Sequence, residues 1–152
     1  MNTITAAITA VGGYVPDFVL SNKVLETMVD TNDEWITTRT GIKERRILKD
    51  ADKGTSYLAI KAAQDLIAKA NIDPLEIDMV IMATATPDMM VAATGVHVAT
   101  EIGATNAFAY DLQAACSSFL YGMSTAAAYI QSGRYKKVLL IDDIKTTGAT
   151  LD

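Results

Sequence analysis

The chain has 152 residues, 50% of them hydrophobic and 20% charged, with 9 glycines, 3 prolines and a formal net charge of −5. This composition predicts one folded domain and excludes a disordered, collagen-like or low-complexity chain, while the single cysteine excludes a disulfide framework. Net negative charge disfavours nucleic-acid binding, and residues 1–16 lack the pattern of a signal peptide or membrane-spanning segment, so we expect a soluble cytoplasmic protein.

The first fifty residues are predicted to form four short elements, each bounded by a turn or a capping residue. The first is a strand that breaks at Gly12-Gly13, and the second is a helix capped by Ser21 that runs to Met28. A second helix, capped by Thr31 or Asn32 and carrying Trp35, ends near Gly41. Residues 42–48 form either a strand or an irregular basic segment.

From residue 55 onward, helical patterns alternate with continuous apolar runs typical of buried strands. Helices are predicted from Thr55 or Ser56 to Ala70, from Val91 to Ile102 and from Cys116 to Gly133, and strands over 79–83, 108–112 and 137–141. The third of these helices has one apolar face, formed by Cys116, Phe119, Leu120, Met123, Ala127 and Ile130. This alternation predicts an α/β fold with a mainly parallel sheet. Because no helix follows to cover the last strand, we expect the sequence to be part of a larger protein.

Charge is distributed unevenly along the chain. Nine of the thirteen Lys and Arg residues lie between Lys23 and Lys69, and five of them form the basic cluster Arg39, Lys43, Arg45, Arg46 and Lys49. This basic cluster is a candidate site for an anionic ligand, or else an ordinary solvated face. Residues 70–133 contain no Lys or Arg, so we expect most of them to be buried in this domain or against a partner.

Cys116 follows a predicted strand and a turn of small residues, and a long helix begins at or beside it. The first turn of a helix carries partial positive charge and free N–H groups, which stabilise a thiolate and an oxyanion formed by its attack on a carbonyl. This pattern indicates either a nucleophile or a buried structural cysteine.

His97 is the only histidine, and it lies in a predicted helix of small apolar residues. The preferred interpretation is a structural side chain rather than a base for Cys116. A metal site is not supported, because the sequence offers no other His or Cys to join these two.

Five motifs, in order along the chain, closely resemble the amino-terminal half of the β-ketoacyl acyl carrier protein synthase III family over about residues 1–141. They are VGGYVP at 11–16, DTNDEWI at 30–36, RTGI at 39–42 with ER at 44–45, ATATP at 83–87 and AACS at 114–117. Each motif alone is weak. Their order, with a cysteine at the expected strand-to-helix turn, makes the resemblance specific and favours Cys116 as the nucleophile.

The resemblance implies a thiolase-like fold of two similar halves, usually in a homodimer, of which residues 1–141 are the amino-terminal half. Each half has a mixed, mostly parallel sheet with helices on both faces. It also implies that Cys116 accepts an acyl group from acyl-CoA, a substrate rather than a cofactor. Malonyl-acyl carrier protein is then decarboxylated, and its carbanion attacks the thioester.

By the same resemblance, Trp35 and Arg39 flank the adenine and phosphate end of CoA, with Thr31 nearby. A flat indole face suits a base and a guanidinium suits a phosphate, although a single Trp on a helix can also be a core residue. Arg45 and Arg46 would suit the acidic carrier protein. The loop 89–91 lies where the family shapes its acyl pocket; it holds no aromatic residue, which leaves the acyl-chain preference open.

The sequence departs from the family in two places. The catalytic His and Asn that the family places in its second half are absent from these residues, so we expect the chain alone to be inactive in condensation. Residues 142–151, DDIKTTGATL, instead resemble the phosphoribosyl-pyrophosphate loop of type I phosphoribosyltransferases. Convergence or a joined or truncated reading frame would each explain the tail 142–152, and we favour the join. The alternative functions are therefore a phosphoribosyltransferase-like nucleotide-binding fragment and a non-catalytic module that binds CoA or acyl carrier protein.

Overall fold

The computed structural model describes residues 4–143, in two compact units. Within the described residues, the larger unit comprises 4–14 and 53–143, and the smaller comprises Val15–Asp52. In chain order the elements are β1 (Val19–Ser21), α1 (Asn22–Leu25), α2 (Asp33–Thr40), β2 (Glu44–Arg46), α3 (Thr55–Ala70), β3 (Met79–Ala83), α4 (Thr94–Glu101), β4 (Phe108–Leu112), α5 (Ser118–Gln131) and β5 (Val138–Asp142). Short 3-10 turns cover Pro74–Glu76 and Ala115–Ser117. Most of the predicted segment 142–152, including the phosphoribosyl-pyrophosphate-like loop beyond residue 143, lies outside the described residues, so its separate status stays a prediction.

The larger unit is built on a three-stranded parallel sheet of order β4-β3-β5. Every residue of the central strand β3 is buried. Met79 is paired with Phe108 on one side and with Val138 on the other, so the three strands begin and end together. Continuous apolar sequence in β3 is what a strand covered on both faces requires, and the predicted parallel sheet is confirmed.

Helices cover both faces of this sheet. Leu139 and Ile141 of β5 belong to the core cluster that also contains residues of α3 and α4. The side chain between them, Leu140, meets Gly122 of α5, where an added Cβ would lie 2.5 Å from a Leu140 methyl carbon. Because successive side chains of a strand point to opposite faces, α5 lies on the face opposite α3 and α4.

The smaller unit contains a two-stranded antiparallel sheet, in which Val19 is paired with Arg46. The basic segment is therefore a strand over Glu44–Arg46 rather than irregular. Ser21 caps α1 as predicted, and of the two predicted caps for α2 it is Asn32 whose Oδ1 accepts from the backbone N–H of Trp35 at 2.8 Å. The α2 helix ends at Gly41, whose φ of 72° is in the left-handed region that favours glycine.

The structure corrects four sequence-based assignments. The helix predicted to run to Met28 ends at Leu25. The predicted amino-terminal strand is wrong: no strand is found in residues 4–14, because an alternating run needs a neighbouring strand for its N–H and C=O groups, and none of the described strands pairs with it. The helix predicted from Val91 begins at Thr94, and the one predicted from Cys116 begins at Ser118, after a 3-10 turn. Among residues 4–143 there is no helix of the length and apolar character needed to cross a bilayer.

The segment without Lys or Arg is buried only in part. The strand β3 is fully buried, but Met90 is 100% exposed, and two residues of the predicted apolar face of α5, Phe119 and Leu120, are also exposed. The side of α5 that packs on the sheet instead contains Ser118 and Gly122. This chain therefore exposes large apolar side chains that a stable monomer usually covers.

We expect the 152-residue chain to self-associate, because water contact with these apolar side chains is unfavourable. Sedimentation velocity should show species heavier than the 16.3 kDa chain at micromolar concentration. A monodisperse monomer with one sharp cooperative unfolding transition would contradict this expectation.

The Asp78 carboxylate ties the start of β5 to β3. It accepts hydrogen bonds from the backbone N–H groups of Lys136 at 2.7 Å and Lys137 at 2.9 Å, and these bonds lower the pKa of Asp78 from its ordinary value of 3.8. Since the folded-state pKa is lowered, this contribution to stability is present above pH 3.8 and is lost as the pH falls below it.

Asp78→Asn should lower the free energy of unfolding at neutral pH by roughly 1 kcal/mol, the net value of a charge-assisted hydrogen bond at a partly exposed site. The variant should also lose less unfolding free energy than the unsubstituted chain as the pH is lowered. Urea unfolding between pH 2 and pH 7, roughly the range over which carboxylates titrate, measures this difference. The control is Asp52→Asn, an exposed acid whose side chain makes no hydrogen bond to any of residues 4–143. An acid profile identical to that of the unsubstituted chain would contradict this assignment.

Candidate functional site

The Cys turn, residues 114–118, connects β4 to α5 at the carboxyl edge of the sheet. The backbone N–H of Ser117 donates to the carbonyl of Ala114 at 3.0 Å, and the backbone N–H of Ala114 donates to Ser118 Oγ at 2.6 Å. Ser118 is buried, whereas Cys116 is exposed and has a free thiol. The predicted order of strand, turn and helix around Cys116 is confirmed, and of the two alternatives left by the sequence the exposed thiol disfavours a buried structural cysteine.

The backbone of the Cys turn is strained next to the cysteine. Ala115 has φ of 47°, a left-handed conformation that costs a non-glycine residue about 1–2 kcal/mol. Residues held in such conformations are concentrated at active sites, where the surrounding structure compensates for the strain. Here two hydrogen bonds and a buried serine hold the turn closed, and they keep the thiol on the outside.

The first turn of α5 has no capping side chain among residues 4–143, in contrast to the other three long helices. Asn32 caps α2, Asp88 accepts from the backbone N–H of Ser56 in α3, and Asp111 accepts from Thr94 N–H at 2.8 Å and Gly95 N–H at 2.7 Å in α4. No such acceptor meets α5. Its first N–H group, that of Ser118, donates instead to the carbonyl of Ala115 within the Cys turn, and the positive end of the helix lies beside Cys116.

His97 is exposed on α4, and no described residue hydrogen-bonds its imidazole or links it to Cys116. This placement agrees with the interpretation that it is not the base. Within residues 4–143, no group of three or more His, Cys, Asp or Glu side chains is arranged to hold a metal ion.

A polar cluster at the carboxyl edge of β3 and β5 was not predicted from the sequence. Asp143 Oδ2 accepts hydrogen bonds from the hydroxyls of Thr55 at 3.0 Å, Thr84 at 3.0 Å and Thr86 at 3.2 Å. Burial, together with the neighbouring Asp143, raises the pKa of Asp142. The only available signal was the pair of threonines in the ATATP motif, and nothing local connects them with a carboxylate 57 or more residues away.

Trp35 and Arg39 form a stacked pair on α2, in the smaller unit. The guanidinium carbon of Arg39 lies 4.4 Å from the centroid of the Trp35 ring, and Trp35 is 51% exposed. The spacing of four residues brings the two side chains to one face of the helix. Thr31 is half-buried just before the cap of this helix. The exposed indole rules out the alternative that Trp35 is a core residue.

The basic cluster does not form one cationic surface. Arg45 is only 8% exposed and donates from Nη1 to Asn22 Oδ1 at 2.6 Å, so the expectation that it faces an acidic partner is wrong. Arg46 donates to the backbone carbonyls of Pro16 and Asp17, and Lys49 lies over the ring of Phe18. Among these five cations, it is Arg39 that stacks on Trp35, the exposed aromatic residue of the predicted CoA site.

Comparison with known proteins identifies relatives of this arrangement. A family model described as 3-oxoacyl-[acyl-carrier-protein (ACP)] synthase III matches residues 110–149, which include the Cys turn, α5, β5 and much of the tail. Among curated proteins, the β-ketoacyl-[acyl-carrier-protein] synthase III of Porphyromonas gingivalis is 55% identical over 150 residues, 99% of this chain and 45% of the relative. Synthase III 2 of Bacteroides thetaiotaomicron is 54% identical over 141 residues, 93% of this chain and 42% of the relative.

Solved structures agree with the sequence relatives. The 3-oxoacyl-[acyl-carrier-protein] synthase III of Aquifex aeolicus superposes with a TM-score of 0.84 at 43% identity, over 93% of this chain and 44% of that one. The priming β-ketosynthase of the R1128 polyketide pathway gives a TM-score of 0.82 at 34% identity, over 93% and 45%. The chain therefore spans less than half the length of these relatives. In sequence the chain matches the amino-terminal half of these β-ketoacyl-[acyl-carrier-protein] synthase III proteins, and its fold is thiolase-like.

Proposed function

We propose that this chain is the amino-terminal half of an initiating condensing enzyme of fatty-acid synthesis, in which Cys116 accepts an acyl group from acyl-CoA. The observation that carries the proposal is the exposed thiol in a strained turn at the uncapped start of α5. An inert structural cysteine would instead be buried among apolar side chains.

The first half-reaction is a thioester exchange. The Cys116 thiolate attacks the carbonyl carbon of acyl-CoA, and the carbonyl oxygen becomes an oxyanion near the positive end of α5, whose dipole favours that charge. When the carbonyl re-forms, the bond to the CoA sulfur breaks. CoA leaves as a thiolate that takes up the proton given up by Cys116, and the acyl group stays on Cys116 as a thioester.

The second half-reaction requires malonyl-acyl carrier protein, whose decarboxylation releases CO₂ and a carbanion equivalent. That carbanion attacks the acyl-Cys116 carbonyl, and the Cys116 thiolate leaves. By resemblance, this step uses a His and an Asn that these 152 residues do not contain, so the chain alone transfers an acyl group slowly and does not condense.

Trp35 and Arg39 are proposed to bind the nucleotide end of CoA, with Thr31 at the start of their helix. The exposed indole offers a flat face to adenine, and the guanidinium offers paired donors to a phosphate. Acyl carrier protein and a second copy of the chain are proposed as partners. A reducing cytoplasm is the proposed compartment, since the exposed thiol must stay reduced to react.

Acetyl-CoA should protect Cys116 from alkylation by iodoacetamide, because acylation removes the nucleophilic sulfur. Mass spectrometry of the intact chain measures both the adduct and the acyl group, and the single cysteine makes the site unambiguous. Adding malonyl-acyl carrier protein should give no ketoacyl product. Protection by phosphoribosyl pyrophosphate with magnesium would favour the phosphoribosyltransferase alternative, and CoA binding without acylation would favour a non-catalytic module.

Ser118→Ala should slow the alkylation of Cys116 and lower the free energy of unfolding by about 1–3 kcal/mol, the cost of a backbone donor left without its acceptor. The lost bond is the 2.6 Å contact from Ala114 N–H that closes the Cys turn. Ser117→Ala is the matched control, since that hydroxyl makes no capping bond. Equal alkylation rates in the two variants, measured under pseudo-first-order conditions, would contradict the role of Ser118.

A further inference from the structure

We propose that Asn22 is a positioning residue, which holds α2 so that the Trp35–Arg39 pair is oriented to receive the nucleotide end of CoA. This inference rests on the proposed function of that pair. Asn22 is 1% exposed and lies in the same unit as α2, at the start of α1.

Apolar packing alone does not fix the orientation of α2. In this eight-residue helix only Ile36 is buried. A single apolar anchor resists removal of the helix from the unit, but it does not prevent rotation of the helix about its own axis. Directional hydrogen bonds are therefore needed to set which way the Trp35–Arg39 pair faces.

The Asn22 side chain supplies those bonds at both ends of α2. Its Nδ2 donates to Asp33 Oδ1 at 2.7 Å, at the first residue of the helix, and to the carbonyl of Ile42 at 2.7 Å, just past its end. Thr37 Oγ1 lies 3.3 Å from the same nitrogen, and it also bonds to Asp33. The amide group of Asn22 thus bonds both to the first residue of α2 and to the segment that follows the helix.

The contacts of Asn22 are on the side of α2 away from the pair. Asp33 and Thr37 are four residues apart, as are Trp35 and Arg39, and the two sets are offset by two residues. With about 3.6 residues per turn, an offset of two residues is roughly 200° around the axis. The polar face thus bonds to Asn22 while the opposite face presents the Trp35–Arg39 pair.

The side-chain oxygen of Asn22 also has a close hydrogen-bond partner. Arg45 Nη1 donates to Asn22 Oδ1 at 2.6 Å, and Arg45 is itself buried. Its Nε has no hydrogen-bond partner among the described residues, so this bond is a principal anchor of the guanidinium. The backbone N–H of Asn22 also donates to the carbonyl of Lys43 at 3.0 Å, which joins Asn22 to the strand segment as well as to the helix.

Asn22→Asp tests this role without changing the size of the side chain. The carboxylate keeps its bond to Arg45, but it places an acceptor against the carboxylate of Asp33 and the carbonyl of Ile42, both of which then repel it. Adding Asp33→Asn restores a donor opposite residue 22. Asn106→Asp is the matched control, an exposed amide in the larger unit that donates only to the carbonyl of Leu75.

Binding is measured by titrating the chain with CoA and with adenosine 3′,5′-bisphosphate, following the fluorescence of Trp35, the only tryptophan, and by calorimetry. Asn22→Asp should weaken both ligands about tenfold, and Asn22→Asp with Asp33→Asn should recover most of that loss. The alkylation rate of Cys116 by iodoacetamide should not change, because that reagent has no nucleotide.

The outcomes separate this inference from the proposed function. If the unsubstituted chain binds neither ligand, both are overturned; if it binds and folded Asn22→Asp binds equally well, the inference alone is overturned. Where circular dichroism shows that Asn22→Asp is unfolded, Thr37→Val is used instead, because it removes only the weakest contact of Asn22. It should weaken both ligands about threefold, and unchanged affinity would overturn the inference.

Discussion

The parallel alignment of three strands around the buried strand β3 is the constraint on which the larger unit depends. Because β4 and β5 flank β3 in matching register, Ala83, Leu112 and Asp142 end the strands at one edge of the sheet. The Cys turn follows β4, and the threonine and aspartate cluster follows β3 and β5, so the exposed thiol and the polar cluster both belong to that carboxyl edge. Parallel strands require such coverage by helices on both faces, and α3, α4 and α5 supply it.

The backbone N–H groups at the starts of α3, α4 and α5 have different hydrogen-bond partners. Asp88 and Asp111 come from loops and strands far along the chain, and they satisfy the first N–H groups of α3 and α4. Those two helix starts are consequently structural. At α5 the corresponding groups have no capping side chain, and the residue beside them is Cys116. The first N–H group of this helix, that of Ser118, donates instead to the carbonyl of Ala115, and under the proposed function the positive end of the helix favours a thiolate at Cys116.

The smaller unit is stabilised in a different way from the larger one. A fully buried apolar strand organises the sheet, whereas a buried amide, that of Asn22, connects α1, α2 and β2. Apolar contacts tolerate small rotations, but hydrogen bonds weaken steeply with angle. A polar centre is therefore suited to a site in which the direction of one exposed aromatic ring matters, as the proposed function requires of Trp35.

The sequence by itself determined several features that depend on residues close together in the chain: the apolar strand at 79–83, the cap at Ser21, a cap of α2 at Thr31 or Asn32, the end of α2 near Gly41 and the cysteine between a strand and a helix. Only the tertiary structure decided the start of α4, the face that α5 packs on the sheet, the burial of Arg45 and the absence of a strand in residues 4–14. Each of these depends on a partner distant in sequence, such as Asp111 for α4 or Asn22 for Arg45. Helix caps and hydrophobic periodicity depend on residues near one another in the sequence, so they can be predicted from it. A contact between distant residues forms only when the folded chain brings the two groups together.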